Sequence, residues 1–499
     1  MISFISGILY SLLFPKFNLY FLFPVALAPL IYYGIKYTRT NRHPKILFLY
    51  FLGSGTVANL ILLYWIYPTL YRNGAGPVIS VLGLILLSAY IGLYWGMFSF
   101  SIYYTKCFKP LYRIIFIAIS WVLLEYIRAH LFTGFPWLLL GYSLWKIKPM
   151  IQIADITGIY GISFIIVLIN VSISFYALKR NLKLFILPFA LIFLFLSYGI
   201  LKTNSAHSRP DLKVCMLQGN ISQYKKWNSA FKHEILNTYG NLHKKAQQHR
   251  PDLIIWPETA IPGVMTREPE LMNYIKELTA DSDAYELIGS VEKANGKYYN
   301  SVYLISPKGE IVDSYRKVHL TPFGEYIPFR IFLSPFAGVV NEVGDFEPGD
   351  NIRLLKFNDY KISTGICFEG IFPSLVRRFF KQGSNIFVNV TNDGWFLNTA
   401  GPYQHFVHSV LRAVENRTYV LRTGNTGISA IVSPKGKILK KTGLLKETIL
   451  CGKAGISENL TFYQKFGNLF VVILFFSGIF IILLSNWKEI KCLKNIKNK

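Results

Sequence analysis

Lys361-Ile362-Ser363-Thr364-Gly365-Ile366-Cys367-Phe368-Glu369-Gly370 opens as an alternating apolar run and closes on a cysteine with a carboxylate two residues beyond it. That pattern is how a strand hands a nucleophile to the edge of a sheet. A thiol is only a few per cent thiolate at neutral pH, so Cys367 needs a base for its proton and a donor for the oxyanion it would create. Two other strand ends offer such parts. Leu253-Ile254-Ile255-Trp256-Pro257-Glu258 leaves a carboxylate just past an apolar strand, and Ser314-Tyr315-Arg316-Lys317-Val318-His319 leaves an ammonium near the end of another. Taken alone, Cys367 also fits a buried core thiol. Lys317 also fits a solvated charge, and His319, two residues on along the same strand face, could act as the base of a Cys-His pair.

The 499 residues are 52% hydrophobic and only 16% charged, too apolar for a soluble enzyme. Division of the net charge of +26 explains where the basicity belongs. Residues 210–464 hold 30 basic and 24 acidic residues, a net of +6, whereas the rest of the chain holds 23 and 3, a net of +20. A nucleic-acid partner is therefore not expected, because a binding groove would concentrate charge on the globular part. The five cysteines do not suggest a disulfide framework: Cys107 and Cys492 lie in basic loops, and Cys215 and Cys451 sit in apolar runs as expected core residues.

Apolar runs at 2–14, 19–35, 46–66, 79–104, 114–127, 159–178, 184–201 and 469–484 suggest about eight membrane spans. The first lacks a basic start and a small-residue cleavage site, so it reads as retained. Lys36, Arg39, Arg42 and Lys45 mark one loop, Lys106, Lys109 and Arg113 another, and Lys179, Arg180 and Lys183 a third. Five lysines from Lys488 to Lys499 close the chain. The excess of Lys and Arg puts these loops in the cytoplasm and the large segment after the seventh span outside it. Glu125 and Arg128 read as an ion pair on one helical face, and the aromatic stretch from Thr133 to Ser143 as an interfacial anchor. The expected organisation is a membrane domain at 1–209, a globular domain at 210–464, and a last span with a basic tail at 465–499.

Within 210–464, strands alternate with helices. Strands are predicted at 213–217 and 253–256, helices at 228–249 and 268–280, and hairpins at Ser306-Pro307-Lys308-Gly309 and Ser433-Pro434-Lys435-Gly436. Two helix-and-strand halves that each end in a hairpin imply two sheets sandwiched by helices.

The order Glu258, Lys317, Cys367, carried by Trp256-Pro257-Glu258-Thr259-Ala260, Arg316-Lys317 and Gly365-Ile366-Cys367-Phe368-Glu369, resembles the nitrilase superfamily, whose members use a Glu-Lys-Cys triad. With apolar runs on both sides, nearly the whole chain resembles the apolipoprotein N-acyltransferase family. Gln218-Gly219-Asn220 with Trp227, Pro322 to Pro328, Asn392-Asp393-Gly394-Trp395-Phe396 and the run from Gly401 to Arg417 support that likeness. Phe368 stands where the family commonly has Tyr, and Leu144 where it has Gln.

The resemblance implies a polytopic α-helical membrane domain carrying an α/β nitrilase-like α-β-β-α sandwich in the bacterial inner membrane, with the sandwich in the periplasm. It implies a phospholipid acyl donor, a diacylglyceryl-cysteine apolipoprotein acceptor, no metal or cofactor, and a monomer. It assigns Glu258, Lys317 and Cys367 to catalysis, with Phe368, Glu325 and Glu369 supporting them. Trp227, Asn300, Trp395, Phe332 and Phe336 would contact substrate. The apolar stretch 330–340 is expected to be a lid guiding acyl chains. A membrane-anchored amidase or nitrile hydrolase is the alternative on the same fold. His405 and His408 are too sparse for a metal site.

Overall fold

The computed structural model describes residues 2–40, 43–204, 210–327, 346–456 and 460–485. The chain forms two compact units, one of residues 1–68, 80–205 and 466–499, the other of 69–79 and 206–465. The stretch 330–340, with Phe332 and Phe336, lies outside the described residues.

Among the described residues five helices are long and apolar enough to cross a membrane: Pro44–Leu62, Ile66–Tyr104, Pro110–His130, Ile159–Lys179 and Leu182–Asn204; all lie in the first unit except residues 69–79 of the second helix. Leu469–Leu484 is a shorter apolar helix. Helix Ile159–Lys179 is the most enclosed, whereas Leu182–Asn204 turns Phe189, Phe193 and Leu201 outward, as a lipid-facing helix would. The expected pair of spans at 2–14 and 19–35 is instead two short helices, Ile2–Leu12 and Ala28–Tyr37. Asn170 explains how the second run is broken without leaving bare amides. Its buried side chain accepts from Leu27 N (2.8 Å) and Ala28 N (3.0 Å) and donates to Phe23 O (2.7 Å), which serves backbone groups where no water is at hand.

Glu125 and Arg128 do not form the expected ion pair. Glu125 Oε1 accepts from Leu140 N (2.7 Å), and Arg128 Nη2 donates to Trp137 O (3.2 Å), so both hold the turn that follows their helix. Trp137, Tyr142 and Leu144 are buried, which makes that stretch internal packing rather than an interfacial anchor.

The second unit carries two six-stranded sheets. The first runs β12-β1-β2-β3-β4-β5, with β1 Leu212–Gln218, β2 Leu253–Ile255, β3 Tyr285–Ala294, β4 Lys297–Ile305, β5 Ile311–Arg316 and β12 Thr448–Ala454. The second runs β11-β10-β9-β8-β7-β6, with β6 Leu354–Phe357, β7 Tyr360–Ile366, β8 Ile386–Thr391, β9 Val420–Gly424, β10 Ala430–Val432 and β11 Ile438–Lys441. Each sheet has three parallel strands, β1-β2-β3 or β7-β8-β9, flanked by one antiparallel strand and a hairpin. The two predicted hairpins are β4-β5 and β10-β11. Strands β2 and β8 are buried along their whole length, which is why they read as unbroken apolar runs.

The sheets face each other through β1 against β9 and β4 against β7. Helix Lys232–Gln247 covers β1, and helices Pro373–Lys381 and Gly401–Asn416 cover β7 and β9. This is the expected helix-sheet-sheet-helix sandwich. Under the first helix, Tyr239 stacks on Trp256 at 5.1 Å, and Glu286 is buried with both oxygens used by Trp256 Nε1 and His243 Nε2 at 2.6 Å. A buried carboxylate is tolerated there because it is paired on both sides.

Cys215 and Cys451 are not free core thiols. They sit opposite each other in the β1-β12 register with Cα atoms 4.1 Å apart and form a disulfide. It joins the first and last strands of the unit across 236 residues of sequence. A bond closing so long a loop removes much of the freedom of the unfolded chain, about 2–5 kcal/mol in native domains. Reduction, or Cys215→Ala with Cys451→Ala, should lower the thermal midpoint of the full chain in detergent by several degrees. An unchanged midpoint under reduction would contradict the linkage.

Candidate active site

Cys367 follows the last residue of β7 and opens a single turn of 3-10 helix, Cys367–Ile371. Its φ is +50°, in the left-handed region that side chains other than glycine rarely occupy. Such a kink turns the half-buried thiol out of the strand. Two devices hold it. Asn389 on β8 donates from Nδ2 to Gly365 O (2.9 Å) and Cys367 O (3.3 Å). Glu369, fully buried, accepts from Ile366 N (2.8 Å) with one oxygen and from Val318 N (2.8 Å), His319 N (3.0 Å) and Tyr315 Oη (2.8 Å) with the other. The same carboxylate thus ties the cysteine turn to the loop carrying Lys317. Burial lifts Glu369 to about 7 against the pull of these donors.

Glu258 lies beyond β2, with Oε1 accepting from Asn300 Nδ2 (2.8 Å) and Oε2 from Asn392 N (2.7 Å). Lys317 Nζ stands 3.9 Å from Glu258 and 2.6 Å from Glu325 Oε2. Burial works against its charge, but Glu325 and then Glu258 outweigh it and hold the ammonium protonated. Glu325 takes further bonds from Asn300 Nδ2 (2.7 Å) and Thr321 N (2.8 Å). Although buried, it is held below the usual carboxylate range by Lys317. Asn300 therefore spaces two carboxylates rather than standing alone as a substrate contact.

Burial and the Glu258 charge push the Cys367 thiol up, and Lys317 pulls it down. A resting thiol beside a carboxylate and an ammonium is the arrangement that general-base activation requires. The Phe368 N–H is in the first turn, where a helix offers no acceptor, and bonds to nothing among the described residues. It is free to bind an oxyanion.

His319 does not fit a Cys-His pair. Strand β5 ends at Arg316, and the His319 ring packs on Phe372 at 4.0 Å. Burial and then Lys317 bring it down to about 4. Trp227 packs on Val291, Leu320 and Phe346 with its Nε1 unpartnered among the described residues. Trp395 is half-exposed, its carbonyl accepting from Thr69 Oγ1 (2.9 Å).

Two features of the site carry no local mark in the sequence. Lys226 is buried and donates to Glu258 O (2.7 Å), which fixes the backbone of the acid; burial brings it down to about 8. Behind Cys367, Arg422 on β9 donates to Asn389 Oδ1 (2.7 Å) and Asp393 Oδ2 (2.8 Å). His405 Nδ1 meets Asp393 Oδ1 at 2.8 Å, and its Nε2 lies 3.3 Å from Cys367 O. Asp393 is buried, yet Arg422 and His405 hold its carboxyl well below the ordinary range. No group of three or more His, Cys, Asp or Glu able to hold a metal occurs among the described residues.

These groups make the stability of the fold depend on pH. Burial holds His319, His405 and His408 below their ordinary range, so each gains a proton on unfolding once the pH is under about 6.5. Each therefore takes stability away as pH falls. Glu369, raised to about 7, adds stability as pH falls toward about 4.5, one group against three. The thermal midpoint should drop as pH is lowered from about 6.5 to 5, and His319→Phe should make the drop shallower. A midpoint that rises over this interval would contradict the assignment.

Residues 6–172 match the family described as apolipoprotein N-acyltransferase N-terminal domain, and residues 213–454 the family described as carbon-nitrogen hydrolase. The apolipoprotein N-acyltransferase of Geobacter metallireducens is 36% identical over 93% of this chain and 91% of its own length. That of Aquifex aeolicus is 32% identical over 87% and 94%. An amidase of the nitrilase superfamily from Nesterenkonia AN1 is similar at a TM-score of 0.39 and 17% identity, over 50% of this chain and 93% of that one. An α/β sandwich matched by the carbon-nitrogen hydrolase family, preceded by long apolar helices matched by the acyltransferase family, makes this chain a multi-pass bacterial membrane enzyme belonging to the apolipoprotein N-acyltransferase family.

Proposed function

We propose that the chain moves an acyl group from a membrane phospholipid to the N-terminal amine of a diacylglyceryl-cysteine lipoprotein through a thioester on Cys367. The observation that carries this reading is the Lys317 ammonium 3.9 Å from Glu258, with both charges acting on the thiol of Cys367, the only free cysteine among the described residues.

Glu258 takes the proton of Cys367 as Sγ attacks the ester carbonyl of the phospholipid. Lys317 and the Phe368 amide hold the tetrahedral oxyanion. The intermediate collapses, the C–O bond breaks, and Glu258 returns the proton to the departing lyso-phospholipid. The acceptor amine then attacks the thioester and gives its proton to Glu258; the C–S bond breaks, and the proton returns to sulfur. Every proton is accounted for within the site, and no oxidant or reductant is needed. Glu325 and Asn300 position Lys317 and Glu258, and Glu369 keeps the lysine loop against the cysteine turn.

We place the catalytic unit outside the cytoplasm. The excess of Lys and Arg in the loops on the other side supports that placement.

Transfer and hydrolysis share the first thioester and differ in whether water reaches it before an amine. The full chain in nanodiscs with phospholipid alone should release about one equivalent of lyso-lipid per site and stop. A diacylglyceryl-cysteinyl peptide with a free amine should restart turnover, and the same peptide N-acetylated should not. Glu258→Gln should slow the burst by about 10²–10⁴-fold. Steady release of free fatty acid without acceptor, as fast as the acceptor-driven reaction, would overturn transfer in favour of hydrolysis.

A further inference from the structure

The first unit contains a cavity of about 460 Å³ where helices Ala28–Tyr37, Gly76–Tyr104 and Ile159–Lys179 end and helix Pro110–His130 begins. Thr38, Arg39, Lys106, Arg113 and Lys179 line it together with Phe175, and no carboxylate among the described residues does. Its volume is that of a small-ligand site.

Two ordinary explanations for such a cluster fall short. Cations in cytoplasmic loops fix membrane orientation, and Arg39 and Lys179 are exposed enough to serve only that. Arg113 is not: it is 6% exposed, its Nη2 donates to Ile102 O (2.8 Å) and Thr38 Oγ1 (3.3 Å), its plane lies over Phe175, and its Nε has no partner. Burying a guanidinium with an unused donor is costly unless something pairs with it. Helix dipoles are the second explanation. Three helix C-termini and one N-terminus amount to about −1 charge, whereas Arg39, Arg113 and Lys179 alone bring three positive charges, so about two remain uncompensated among the described residues. The described membrane unit has just two acidic residues, Glu125 and Asp155. Glu125 is twelve residues from Arg113 on one helix, about 18 Å away, and is used by Leu140 N. Asp155 accepts from Tyr198 Oη (2.8 Å).

We infer that this cavity is a binding site for a phosphate group, supplied by the headgroup of an anionic phospholipid in the leaflet that the loop charges assign to the cytoplasm. Arg113 forms the floor and meets a phosphate oxygen with Nη1, which bonds to nothing among the described residues, while Nη2 is held by Ile102 O and Thr38 Oγ1. Thr38, donating to Ile35 O (2.7 Å), holds Arg113 in place, Arg39 and Lys179 close over the anion at the rim, and Phe175 gives the acyl-glycerol part an apolar wall. A basic pocket between helices at the cytoplasmic end of a bundle is where such headgroups are held.

The test uses the full chain in phosphatidylcholine nanodiscs and two photoactivatable probes labelled beside the headgroup, phosphatidylglycerol and phosphatidylcholine, with peptide mapping of the adducts. Phosphatidylglycerol should label residues 28–40 and 172–180, and phosphatidylcholine should not. Arg39→Gln with Lys179→Gln, both at exposed positions, should weaken that labelling about thirty-fold. Lys36→Gln with Arg180→Gln removes the same charge from the same loops without touching the cavity and should leave labelling intact. Suppression by inorganic phosphate, but not by chloride at equal ionic strength, would assign the same recognition to the free ion. Equal labelling by the two lipids, or equal loss in the two variant pairs, would overturn the site.

Discussion

A lysine ammonium with 1% exposure cannot stay charged inside a protein unless carboxylates surround it, and Lys317 is held by Glu325 at 2.6 Å with Glu258 at 3.9 Å. The rest of the site follows from that constraint. Two carboxylates beside one ammonium leave a negative charge in excess, so Asn300 donates to both and Asn392 and Thr321 supply backbone N–H groups. Glu258 is thereby fixed in place beside a thiol that its surroundings hold protonated. Removing one member would leave an unpaired buried charge, a larger loss than the pair itself is worth.

The second constraint is the turn at Cys367. A left-handed backbone at a non-glycine residue persists only where its surroundings enforce it. Here Asn389 holds the Cys367 carbonyl from below, and Glu369 ties the turn to the lysine loop. Arg422, Asp393 and His405 in turn fix Asn389 and the far side of the same carbonyl. The strand-end groups come from both sheets: Glu258 and Lys317 follow β2 and β5 of one, Cys367 follows β7 of the other. The sandwich therefore brings the three groups together, and Asn392 N bonding to Glu258 is one direct link between the sheets, beside those made by Glu369.

What could be read from the chain was what is local. A short apolar run followed by a polar side chain marks a strand end, as at Glu258 and Cys367; repeated helix, strand and hairpin signals mark the two sheets. Partners distant in sequence left no such mark. Cys215 and Cys451 look like core thiols because each sits in an apolar strand, and only the β1-β12 register makes them neighbours. Asn300 and Arg422 look like ordinary strand polar residues until the neighbouring strands bring Glu258, Asp393 and Asn389 beside them. In the membrane unit, the run 19–35 is apolar enough for one span, but Asn170, far along the chain, offers its backbone the bonds that allow it to break. Hydropathy has no access to that.

The central claim is that Cys367 carries the acyl group between donor and acceptor. Intact-mass and peptide mass spectrometry of the purified chain after incubation with a phospholipid of defined acyl length tests it directly. The account predicts one acyl increment on the peptide containing Cys367, released by neutral hydroxylamine, changing with the acyl length of the donor, and absent from Cys367→Ala. An unmodified Cys367 in enzyme that is turning over, or an acyl group on another residue, would contradict it.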